Sequence, residues 1–227
     1  MTSGQTPSLY SFVRDGAGTI ETYEYVPAVV GGRLIMIDLS RTGPVCGCLS
    51  VIVFTICWIV SALLWEDWTL GTHALSDIGV CGIDSAEIVF NLGCMLTGFL
   101  VLFPGLRMTE MDGAWFRTSG YMVIICSVSC AAIGVVTEDY GIMHNITAST
   151  YAVFAAIFAI TSAAGDYVIG KKVLTALATV MLIASGIMCV AQPFAVFEPF
   201  AISCIFIWTF VQSALMLRLD TGKSGSE

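Results

Sequence analysis

Long apolar runs broken by short polar connectors organise most of the chain. Six windows, about 44–64, 86–106, 118–137, 144–164, 173–192 and 199–218, each hold mostly apolar residues, and each has the roughly 20-residue length that an α-helix needs to cross a bilayer. The segment before them has a different period. SLYSFV, TIETYEYV and GGRLIMIDL alternate apolar and polar positions around the turn-forming DGAG and VGG. Two forms fit this stretch, a small hairpin beneath the membrane or a poorly ordered tail, and Met36 offers a second point at which translation could start. The pattern predicts an all-α polytopic membrane protein: an amino-terminal segment 1–43, a bundle of six transmembrane helices over 44–218, and a tail 219–227.

Within the windows, small and weakly polar residues line up at helical spacing. Glu87, Asn91, Cys94 and Gly98 share one face of span two. Ser127, Cys130 and Gly134 repeat the pattern in span three, leading to Thr137 and Glu138 at its outer end, and span one offers Ser50, Cys57 and Ser61. Such stripes are what close helix contact in membranes uses, so most of these residues are expected to pack.

Composition agrees with the pattern: 57% of the 227 residues are hydrophobic and 11% charged, with a mean hydropathy of +0.88. An ordinary soluble domain is excluded. About 43 largely polar residues precede the first window, so it is expected to stay as a span and not to be cleaved as a signal peptide.

Charge then orients the bundle. With six spans, Arg14, Arg33, Arg41, Arg107, Arg117, Lys171, Lys172, Arg218 and Lys223, all nine basic residues, fall on one face. Basic connectors stay inside, so both termini are expected in the cytoplasm, with the protein multi-pass in the cell membrane. The opposite face carries Glu66, Asp67, His73, Asp77, Asp84, Glu87, Glu138, Asp139, His144 and Glu198 with no Lys or Arg. This acidic rim would draw cations and protons and repel anions. With no basic patch beyond the positive-inside collar, nucleic acid is not an expected partner; membrane lipids are, and a homo-oligomer is left open.

Helix ends account for much of the rim. Asp84-Ser-Ala-Glu87 before an apolar run has the form of a capping box, and the positive dipole ends of the even-numbered helices face Asp84, Glu87, Glu138, Asp139 and Glu198. Asp77 is not explained this way, because the Glu66–Asp84 loop is long for a turn and is expected to fold back over the bundle mouth. His144 enters span four with Thr147, Ala148 and Tyr151 on its face. Together Ser76, Asp77, His73, His144, Glu138 and Asp139 allow three chemistries: a divalent metal activating water, a His–Asp pair acting as general base on a lipid ester, or a proton or cation relay. None has a decisive spacing, since HExxH, GxSxG and zinc-spaced Cys pairs are all lacking. No metal, cofactor or catalytic residue is assigned. Six of the nine cysteines lie inside spans, where cysteine acts as a soft packing residue. Cys46 and Cys48 at the start of span one would suit acylation in a eukaryotic host.

The stretches LSDIG in the first outer loop, SAEIVFNLGCMLTGFL in span two and GVVTEDYGIMHNITAS across the second outer loop resemble the six-span membrane proteins grouped as domain of unknown function 998, frequent in archaea and bacteria. The resemblance covers roughly residues 44–218. More distantly, a serine, aspartate and glycine, an acidic residue before span two and a histidine opening span four look like the DRAM and Sfk-type family, which is linked with lipid organisation, autophagy or glycolipid-anchor remodelling. The matching positions are Ser76, Asp77, Gly79, Glu87, Asn91, Glu138 and His144. The resemblance implies sites more than a reaction, and a zinc-dependent lipid hydrolase of the alkaline-ceramidase kind would need more than the two histidines present.

The expected function is therefore binding or organising a lipid headgroup at the extracytoplasmic mouth, with Ser76, Asp77, His144, Glu138, Glu87 and Asn91 as candidate ligand-binding residues. In that reading Ser76 and Asp77 fix the loop over the mouth, while His144 and Glu138 meet the ligand or each other. A small proton- or cation-coupled transporter and a non-catalytic structural or assembly protein are the alternatives.

Overall fold

A computed structural model describes residues 10–14, 20–30 and 33–224. Three antiparallel strands come first, β1 (Tyr10–Arg14), β2 (Ile20–Val30) and β3 (Arg33–Asp38), in the order β1-β2-β3. The alternating pattern thus forms a meander, while DGAG and all but Val30 of VGG lie outside the described residues. β2 pairs with β1 through Ile20–Glu24 and with β3 through Tyr25–Val30. Pro27 therefore falls where β2 has one unpaired edge, the place in a sheet where a residue without an N–H is tolerated.

Asp38 ends β3 and caps the first helix, its carboxylate accepting from the Ser40 N–H at 2.9 Å and the Ser40 hydroxyl at 2.6 Å. Six long helices follow: α1 (Leu39–Leu64), α2 (Asp84–Glu110), α3 (Ala114–Ile133), α4 (Ile142–Val168), α5 (Lys172–Ala191) and α6 (Phe194–Ser224). Each is long and apolar enough to cross a membrane, the shortest being 20 residues, about 30 Å of helix. This is a multi-pass membrane protein built as a six-helix bundle.

Most helices end within about five residues of the sequence windows, and two of the differing boundaries bear on the mouth. α3 stops at Ile133, so Thr137 and Glu138 lie outside it, and Glu138–Tyr140 form a short 3-10 turn. α6 begins at Phe194 and takes Pro199 inside its second turn, where the hydropathy window began only at 199.

The helices pack in sequence from α1 to α4, and α6 returns against α1; α5 packs more lightly, against α4 and α6, and of its residues only Ala178 is fully buried. One apolar cluster joins Phe54, Leu75, Ile78, Phe90 and Phe206 at the end carrying the α1–α2 loop, here called the loop end. The other joins Met108, Phe116, Phe158, Trp208 and Met216 toward the end carrying the chain termini, the terminal end. Tight helix contact is clearest between α2 and α3, where the Ser127 hydroxyl donates to the Gly98 carbonyl at 2.8 Å and the Cys130 thiol lies 3.5 Å from the Cys94 carbonyl.

Candidate functional site

The α1–α2 loop is a plug. Leu75 and Ile78 are fully buried among Phe54, Phe90 and Phe206, which seats the 3-10 turn Ser76–Val80 in the bundle mouth. Its rim is aromatic: the Trp68 indole N–H donates to the Ala74 carbonyl at 3.1 Å, and the His73 ring lies 4.9 Å from that of Trp65.

Three of the sequence candidates hold this plug in shape. Asp77 Oδ2 accepts from the Ala74 N–H at 2.8 Å. Asn91 on α2 donates from Nδ2 to the Gly79 carbonyl at 3.1 Å. A Cβ at Gly79 would lie 2.8 Å from Asn91 Oδ1, so a larger residue here would push the Asn91 amide out of its bond to the turn. Glu87 Oε1 accepts from the Gly82 N–H at 2.5 Å, one residue before the N-cap Ile83, and Asp84 forms no cap, so the expected Asp84–Glu87 capping box is not made.

His144 is 6% exposed and faces inward. Its Nδ1 lies 2.7 Å from the Val136 carbonyl; a carbonyl only accepts, so Nδ1 carries the proton and Nε2 is the ring nitrogen left for a ligand. Asp77 and His144 do not hydrogen-bond to each other, nor do His144 and Glu138.

The residue that gathers the site is Glu198. Read as part of α6's dipole-facing rim, it turns instead toward the plug, from inside the helix. Its Oε2 accepts from the backbone N–H groups of Leu75 at 2.5 Å and Ser76 at 3.3 Å. Glu138, from the turn before α4, acts on it through its charge, and the two 3-10 turns are in contact. The loop, the α3–α4 turn and the start of α6 therefore meet around one carboxylate. The signal for it was the helix boundary: with α6 begun at Pro199, Glu198 reads as a loop residue, and with Pro199 inside the helix it reads as an acid on an inward face.

Two cavities share Glu198. A small one of about 50 Å³ has Ser76, His144, Tyr151 and Glu198 in its wall, enough for a water or a small polar group. A large one of about 580 Å³ runs between α4, α5 and α6, within the size range of ligand pockets. Its wall is mainly Ala, Ile, Leu, Met and Phe, its polar groups at the loop end are Asn145, Ser149 and Glu198, and no Lys or Arg reaches it. The geometry suits an amphiphile with hydrocarbon in the wedge and a neutral or cationic, hydrogen-donating head beside Glu198. Ser76 and His144 thus stand with Glu198 at the mouth, whereas Asp77, Glu87 and Asn91 shape the plug. Among the described residues, no three His, Cys, Asp or Glu side chains converge as a metal-binding group.

No curated protein and no solved structure matches this chain. The family model described as protein of unknown function DUF998 matches residues 48–215, a stretch that takes in most of α1, the plug, the mouth around Glu198 and most of α6, and the chain belongs to that family.

Proposed function

We propose that this protein binds a membrane lipid, its hydrocarbon in the α4–α6 wedge and its headgroup at the mouth around Glu198, His144 and Ser76. The observation that carries the reading is a carboxylate, itself tied to the plug, at the loop end of an apolar cavity of about 580 Å³. The segregation of basic residues supports an extracytoplasmic mouth in this reading, with residues 1–43 and 219–227 on the cytoplasmic side and 44–218 as the membrane unit. The rim's lack of cations favours headgroups rich in hydroxyl or amine donors over anionic ones.

Native mass spectrometry of the purified protein tests this. The parent is expected to retain lipid; Glu198→Gln, which weakens the head contact, and Gly186→Leu, which fills the wedge, are expected to lose it while remaining folded. A parent that carries no lipid, or two folded variants that keep it, overturns the reading. A proton- or cation-dependent flux in liposomes, lost in Glu198→Gln, would instead assign the mouth to transport.

A further inference from the structure

Beyond the wedge, α4 and α6 are joined by two buried rungs. The Trp208 indole N–H donates to the Ser162 hydroxyl at 2.8 Å, and one turn further the Gln212 amide donates to Asp166 Oδ2 at 2.6 Å. All four side chains are buried, Ser162 and Asp166 completely. Trp208 also walls the large cavity. It lies ten residues after Glu198 on α6, about 15 Å along the helix, so the Asp166 rung sits just past the cavity's inner end.

Asp166 is under-satisfied for a charged group. Its Oδ1 is buried and has no hydrogen-bond partner among the described residues. Each element packed around this part of α4 contributes a group at or beside Asp166. From α6 comes the Gln212 amide. From α3 comes the Phe116 ring, packed on the neighbouring Gly165. From the start of α5, Thr175 donates to the Ala163 carbonyl. From the α4–α5 link, the Lys171 N–H donates to the Asp166 backbone carbonyl at 2.7 Å, and the exposed Lys171 ammonium is the charge that acts on the carboxyl; the two form no ion pair.

An ionised carboxylate shut away from water needs donors on both oxygens or a cation against it. A neutral acid needs only what is present: Oδ2 as the carbonyl oxygen accepting from Gln212, and a hydroxyl at Oδ1 that forgoes one hydrogen bond, a smaller cost than a bare charge. Ionisable groups inside a membrane bundle are rare and mark paths for protons or ions.

We infer that Asp166 is a proton-binding site of the bundle interior, carrying a proton on Oδ1. On ionisation it gives that proton to water, as hydronium. The inference is independent of the lipid reading, because it uses neither the plug nor Glu198.

The test is infrared spectroscopy of the whole protein in lipid nanodiscs with the aspartate carboxyls ¹³C-labelled, so that glutamate bands do not shift. At neutral pH one protonated aspartate C=O band is expected, lost in Asp166→Asn and kept in Glu198→Gln. No protonated aspartate band in the parent at neutral pH overturns the inference, and so does a band that survives in Asp166→Asn. A spectrum that responds to added Na⁺ at fixed pH, and not to pH, assigns a metal cation and overturns it too. Should Asp166→Asn fail to fold, Gln212→Leu decides: it keeps the acid and removes its donor, so the band should persist at the position of a free carbonyl, and an unmoved band overturns the assignment.

Discussion

Gly98 and Gly186 both stand mid-helix among small residues. A Cβ added at Gly98 would fall 2.5 Å from the Ala131 nitrogen and 2.6 Å from the Ser127 carbonyl oxygen, whereas nothing lies within 4 Å of one added at Gly186. Between α2 and α3 the small residues let backbones touch, and the contact is held by directed bonds such as Ser127 to Gly98. Between α4 and α5, Ala152, Ala155, Ala156, Ser185 and Gly186 instead wall the cavity of about 580 Å³, while α5 is held at its other half by Ala178, Leu174 and Met181 on the cluster around Trp208 and by the Thr175 bond to Ala163. Small side chains permit close approach without compelling it. Where something else sets the separation, the same stripe becomes a void.

The sharpest way to break this comparison is to put leucine at both glycines. Gly98→Leu must push α2 from α3; overpacking of a tight seam costs typically about 1–3 kcal/mol and occasionally more, and the variant is expected to lose its monodisperse elution peak. Gly186→Leu should elute and melt like the parent, and a collapse as large as that of Gly98→Leu would abolish the distinction. Leu75→Ala is of comparable size. It empties the centre of the plug cluster at an expected cost of about 2–5 kcal/mol, read as a fall in melting temperature in detergent.

Glu198→Gln comes next. Weakening the charge-assisted acceptor for two N–H groups should cost about 1–3 kcal/mol and speed amide exchange at Leu75 and Ser76; unchanged exchange would mean that the carboxylate does not hold the plug. The smallest effect belongs to Asn91→Ala. Losing one neutral hydrogen bond to Gly79 should cost about 1 kcal/mol, with faster exchange confined to Ser76–Val80.

Much of the bundle was legible in the chain's order. The window 173–192 corresponds to α5 at Lys172–Ala191, since a long apolar run needs no partner to be recognised. The stripe Cys94, Gly98 on α2 and Ser127, Cys130 on α3 also meets as its spacing suggests. The mouth was less legible. Asp77 was the residue without a local explanation, yet its partner is the Ala74 N–H three residues away. Glu198 had a ready local explanation, yet its partner lies 123 residues away. Asp166 lay two residues beyond the window 144–164 and falls inside α4 only because that helix runs on to Val168; nothing in its segment or in that of Gln212 marks the other as its partner.

Sequence alone determined the six spans, the segregation of all nine basic residues to one face and the stripes of small residues, because hydropathy, charge and helical period are sums over neighbours in the chain. Only the tertiary structure decided which stripe closes and which opens, that Glu198 belongs to the plug, and that Asp166 meets Gln212. Those outcomes depend on the distance between helices, which is set by the packing of residues far apart in sequence.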